Sequence, residues 1–222
     1  MVKSVALRPR TVHALIVALC GSGFLLACSD QPSVRPVAPD RVPFPSESIA
    51  VSSGGAEYAD VLNQGGAGVY APGGAMVVRQ PHGLRMSVTM PTPAPGSYVY
   101  APERTDVGHP EVFTLWAFIF NYPDLCTPPS CGADDLGVGT AAKGGVYNAG
   151  GHPASGGELT ITGRIGVGET PFNHAPLESP STAEIHLAVA PHGALDPSRL
   201  PEDLRLPTGS PTCDCWWVAI FD

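Results

Sequence analysis

The 222 residues suffice for one large domain or two small ones, and 26 Gly with 25 Pro bring turn-forming residues to about twice their usual share. Lys3, Arg8 and Arg10 precede Cys28 and no carboxylate does, so nine cations face twenty carboxylates beyond it, a formal net charge of −11. So acidic a surface repels phosphate backbones, which argues against nucleic acid as a partner.

Residues 1–10 are basic, residues 12–27 (VHALIVALCGSGFLLA) are apolar, and a polar stretch starts at Ser29, the order of a signal peptide. A membrane-spanning helix needs about 20 apolar residues; this run is shorter and is weakened by Gly21-Ser22-Gly23. The run ends Leu25-Leu26-Ala27-Cys28, which resembles the lipobox of bacterial lipoproteins. That resemblance implies cleavage after residue 27, thioether lipid on Cys28 and acylation of the new amino terminus; two or more acyl chains hold a protein stably at a bilayer. Ordinary secretory cleavage is the competing reading, and Cys20 is a poorer acceptor because Leu19 before it is large. Ser29 is not the Asp that signals inner-membrane retention, so the outer membrane is favoured where the organism has one.

Residues 28–50 read as the lipidated cysteine and a disordered, Pro-rich tether, and 51–222 as one β domain. Residues 53–75, rich in Gly and Ala, suggest short edge strands and loops, with no lysine placed to make a phosphate loop. Four segments then read as strands. Residues 84–90 and 158–167 alternate apolar and polar side chains, and 112–120 (VFTLWAFIF) is apolar on both faces, as in a covered central strand. In 184–189, Ile185, Leu187 and Val189 point inward and Glu184 and His186 outward, with a turn at Pro191-His192-Gly193. WWVAIFD closes the chain as a last strand, with Trp216 and Trp217 on opposite faces. No dozen-residue window keeps a helical stripe, so the expected fold is an all-β antiparallel sandwich of Greek-key or immunoglobulin-like type.

Beyond Cys28 the cysteines are Cys126, Cys131, Cys213 and Cys215, an even number suited to an oxidising compartment. Three pairings are open. If 112–120 and the last strand are neighbours, both cysteine pairs lie at one end of the sheet, and pairing between them is preferred. A zinc site fits poorly, because the gaps of four and one residues differ from the usual two to four.

Candidate ligand residues are Glu184, His186 and His192, with His152 as a further histidine. Imidazoles near carboxylates can bind metal or move protons, so His186 and His192 could meet at a metal, and Asp134-Asp135 could hold calcium. No nucleophile elbow and no His-Glu-x-x-His motif is present. No cofactor is expected other than the covalent lipid on Cys28.

The segments HPEVFTLWAFIFNYPDLC, CGADDLG, GGVYNAGGH, AEIHLAVAPHGALDPSRLPEDL and WWVAIFD together resemble a family of uncharacterised exported bacterial lipoproteins over residues 84–222. The resemblance implies a β fold with no assigned activity. A fainter likeness is to the chordin-type (CHRD) domain, a β-rich extracellular module; Glu184 stands where that pattern has the first of two histidines, before His186. Two readings remain: a membrane-tethered, non-catalytic module for an envelope protein or polysaccharide, and a metal-binding or metal-dependent protein using His186 and His192.

Overall fold

In extended backbone successive side chains point to opposite faces, and the alternation at Leu84, Met86, Val88 and Met90 becomes an inward-facing row buried to within 2%. The computed structural model describes residues 55–63, 68–94, 110–128, 130–204 and 216–222; residues 1–27, expected as a leader, residues 28–50, expected as the lipidated Cys28 and its tether, and Cys213 and Cys215 lie outside them. Its strands are β1 (Ala56–Asn63), β2 (Val69–Gln80), β3 (Gly83–Pro91), β4 (Glu111–Phe120), β5 (Gly144–Pro153), β6 (Glu158–Gly166), β7 (Asn173–His174), β8 (Glu184–Ala194) and β9 (Trp217–Phe221). The chain is all-β, as its alternation predicts. All nine strands pair antiparallel in one sheet, in the order β6-β3-β2-β1-β9-β8-β4-β5-β7.

The sheet curls until β5 and β6, far apart in that order, come into contact, so its two halves enclose one core. Glycine permits this approach. A Cβ on Gly150 would stand 2.5 Å from the Thr162 carbonyl oxygen, and one on Gly163 2.6 Å from that of Ala149. The β4–β5 register shifts between Leu115 and Trp116, where Ala149 is extra; such a bulge bends its strand. Inside lie Phe113, Leu115, Ala117 and Ile119 of β4, Ile185, Leu187 and Val189 of β8, and Trp217, Ala219 and Phe221 of β9.

β4 is covered on both faces, as its apolar run requires. Its other face joins Trp116, Phe118 and Phe120 to Val146, Ala188, Ala190, Val218 and Cys131 in a second cluster outside the curl. Trp216 packs on that cluster, 6.4 Å from the Phe118 ring, while Trp217 turns into the core, so the indole pair does occupy opposite faces.

Two expectations are corrected, and one strand had no expectation behind it. Residues 56–63 and 69–80, expected as short edge strands and loops, form strands of 8 and 12 residues inside the sheet order. Ala71, Ala75 and Val77 supply their inner face, and small side chains hide that alternation. Residues 144–153 form β5 although four of the ten are glycine, because β4 pairs along their whole length. Pro191-His192-Gly193 is no turn: β8 runs through it, all eleven residues buried. The register shift between Glu111 and Phe113 gives Pro191 the irregular site a residue without N–H needs.

Candidate functional site

β8 lays out the predicted ligand residues along one face: Glu184, His186, Ala188, Ala190 and His192 alternate with the core residues. Glu184 and His186, expected on a polar outer face, are 8% and 2% exposed, since the second cluster covers that face. His186 Nε2 lies 2.5 Å from Glu184 Oε1, and the Phe120 ring is 5.2 Å away. The other imidazole nitrogen, Nδ1, is buried and has no hydrogen-bond partner among the described residues. His192 Nε2 is 2.7 Å from Thr114 Oγ1 on β4, with the Trp116 ring 6.5 Å away.

The two histidines do not meet. At about 3.3 Å per residue, six positions along one strand separate them by about 20 Å, far beyond the span of a metal's ligands. His152 sits exposed on β5, its Nδ1 2.6 Å from the Pro153 carbonyl, and joins neither. Among the described residues no three His, Cys, Asp or Glu side chains form a group that could hold a metal ion.

Asp134 and Asp135 also part company. Asp134 is exposed, whereas Asp135 is buried with both oxygens engaged: Oδ1 accepts from the Thr127 amide (2.9 Å) and hydroxyl (3.2 Å), Oδ2 from the Gly132 amide (2.9 Å). This carboxylate is the internal brace of a loop. The same loop corrects the preferred pairing, because Cys126 bonds Cys131, which leaves neither to pair with Cys213 or Cys215. The short helical turn Pro123–Leu125 and the bend after it bring the two Cα atoms to 5.0 Å, and so short a closure orders little chain.

The open feature lies elsewhere. A groove of about 480 Å³ runs over the outer face of β1, β2 and β3, lined among others by Tyr58, Tyr70, Met76, Ser87, Thr89 and Glu158. An irregular pairing shapes it. Between Ala59↔Ala75 and Val61↔Ala71, β1 has one residue, Asp60, where β2 has Pro72, Gly73 and Gly74. Asp60 Oδ1 accepts from the Gly73 amide at 2.7 Å, Gly73 takes a positive φ of 59°, and a side chain at Gly74 would run into the Thr89 carbonyl. Tyr70 donates to the Pro91 carbonyl (3.1 Å), and burial raises its pKa above the usual tyrosine range. Tyr58 stands 58% exposed.

Sequence reasoning missed Tyr58, Asp60 and Tyr70 because 53–75 read as short edge strands and loops. The usable signal was the alternation of Tyr58 and Asp60 with Ala59 and Val61. An aromatic ring beside hydroxyls and a carboxylate offers the stacking face and hydrogen-bonding groups of a hydroxylated ligand. No family model, curated protein or solved structure matches this chain.

Proposed function

We propose that this chain is an exported lipoprotein, held to the cell envelope by lipid on Cys28, whose β body is a non-catalytic module that binds an envelope polysaccharide in the groove over β1–β3. The observation that carries the reading is the contrast between that groove and the titratable groups of β8. Glu184, His186 and His192 are buried in local contacts with neighbouring side chains, whereas Tyr58 and the Ser and Thr hydroxyls stand along an open groove. A sugar presents an apolar ring face to an aromatic side chain and hydroxyls to polar ones.

The basic, apolar, then small-residue order of 1–28 supports delivery to the envelope, and the Cys126–Cys131 disulfide fits an oxidising compartment. The net negative charge makes nucleic acid an unfavourable partner.

Two measurements test the reading. Cells given labelled palmitate should label the wild type and not Cys28→Ser; label kept by the mutant refutes the anchor. The full chain in detergent should co-sediment with insoluble envelope polysaccharide, and Tyr58→Ala should lose most of that binding with its circular-dichroism spectrum unchanged. Undiminished co-sedimentation of Tyr58→Ala removes the groove from the function.

A further inference from the structure

β3 and β6 present a second feature on the face that carries the groove. Residues two apart on a strand share a face, so Arg85, Ser87 and Thr89 form one column and Arg164, Thr162 and Thr160 the next. The register sets them in pairs: Arg85↔Arg164, Ser87↔Thr162, Thr89↔Thr160. The Thr89 and Thr160 hydroxyls are 3.0 Å apart. Ser87 also faces Met76 of β2, which faces Tyr58 of β1, so the hydroxyl row continues into the groove.

The arginine pair is the anomaly. Like charges directly opposite in a sheet oppose folding, and in a chain this acidic a nearby carboxylate could have relieved them. Arg79 binds Glu57 (2.8 Å) and Lys143 binds Glu178 (3.1 Å). Arg85 and Arg164, both exposed, have no hydrogen bond or ion pair among the described residues. At the far end of the same columns, beside Pro91, stands the exposed carboxylate of Glu158. The face is thus polarised: two guanidinium groups, a ladder of hydroxyls, then a carboxylate.

We propose that Arg85 and Arg164 form an anion site that makes the groove selective for an acidic saccharide, the charged sugar lying on the two arginines and uncharged rings running over Ser87, Thr162 and Tyr58. The guanidinium fork matches a carboxylate or phosphate group bidentately, and Glu158 sets the direction by repelling the charged sugar from its end. This inference rests on the groove being a saccharide site, and the test separates the two.

The full chain in detergent is titrated with a hyaluronan octasaccharide, in which acidic and neutral sugars alternate, and with the same octasaccharide after reduction of its carboxylates to alcohols. The acidic form should bind on the order of tenfold tighter, an advantage that added salt erodes. Arg85→Gln/Arg164→Gln should abolish that advantage while keeping the affinity for the reduced sugar, and Tyr58→Ala should weaken both. The double variant should melt no lower than the wild type, so lost affinity is not lost fold. Equal affinity for the two sugars, still sensitive to Tyr58→Ala, overturns the anion site and leaves the groove standing. Binding of neither overturns both. Poly-glutamate bound as tightly as the acidic sugar, through the arginines and without Tyr58, overturns the saccharide in favour of an acidic protein.

Discussion

The two halves of the curled sheet treat their outer faces in opposite ways. Over β4 and β8 the outer face is a second core: Phe118, Phe120 and Ala188 lie under the 121–143 loop, and polar groups caught there pair locally, Glu184 with His186 Nε2 and Thr114 with His192. Over β3 and β6 the outer face is bare, and Arg85, Thr160, Thr162 and Arg164 are exposed. Chemical type alone therefore does not say which polar groups end up open and which end up covered. Glu184, His186 and His192, which draw the eye in the sequence, are buried in the wall, and plain hydroxyls, an exposed tyrosine and two arginines face outward.

The largest effect should come from the wall. Phe118→Ala should cost about 3–5 kcal/mol, the range for a buried aromatic truncated in a packed core, read from urea unfolding. A cost near zero would mean that the loop does not cover β4, and the comparison would collapse. Next is the brace of that cover. Replacing Cys126 and Cys131 together by serine should remove about 2 kcal/mol by releasing a short loop in the unfolded chain. If the pair stiffens only the loop, the octasaccharide affinity should not change; a parallel loss of binding would show that wall and bare face are coupled.

Tyr147 sharpens the contrast through pH. Its hydroxyl donates to the Glu169 carbonyl (3.3 Å) and accepts from the Leu177 amide (2.6 Å), and burial pushes its pKa from 10.0 up to about 12, with the Glu169 charge adding to the rise. The unfolded chain therefore releases this proton near pH 10 while the folded chain keeps it, so stability declines as pH climbs from 10 to about 12. The Tyr147→Phe variant, though less stable for want of an acceptor for Leu177, should lack that alkaline limb. An identical limb in the variant would assign it to other groups.

The smallest effect has the opposite sign. Arg164→Thr removes one of two like charges placed in register and should raise stability by about 0.2–1 kcal/mol. A fall in melting temperature would mean that Arg164 already serves the fold, and the pair would lose its claim to be held for a ligand.

Much of the architecture was legible because strands with large apolar side chains announce their period. Leu84 to Met90, Leu159 to Val167 and the double-faced run at 112–120 all became strands within a residue or two. β1, β2 and β5 escaped because Ala and Gly fill their inner positions, and an inward alanine looks in sequence like a loop alanine. The site was less legible than the fold. Tyr58 sits on β1, Ser87 on β3 and Thr162 on β6, three strands whose pairing no local pattern encodes, and His186 packs against Phe120 of β4, far earlier in the chain.

By itself the amino-acid sequence determined the β character, the strongly negative charge and the outward placement of Arg85 and Arg164, since each follows from composition or from side chains alternating along one strand. Only the tertiary structure decided that those arginines oppose each other, that Glu184 and His186 end up covered, and that Cys126 closes on Cys131. The physical reason is that neighbourhood in a sheet depends on register and on what packs over each face, and both arise between segments distant in the chain.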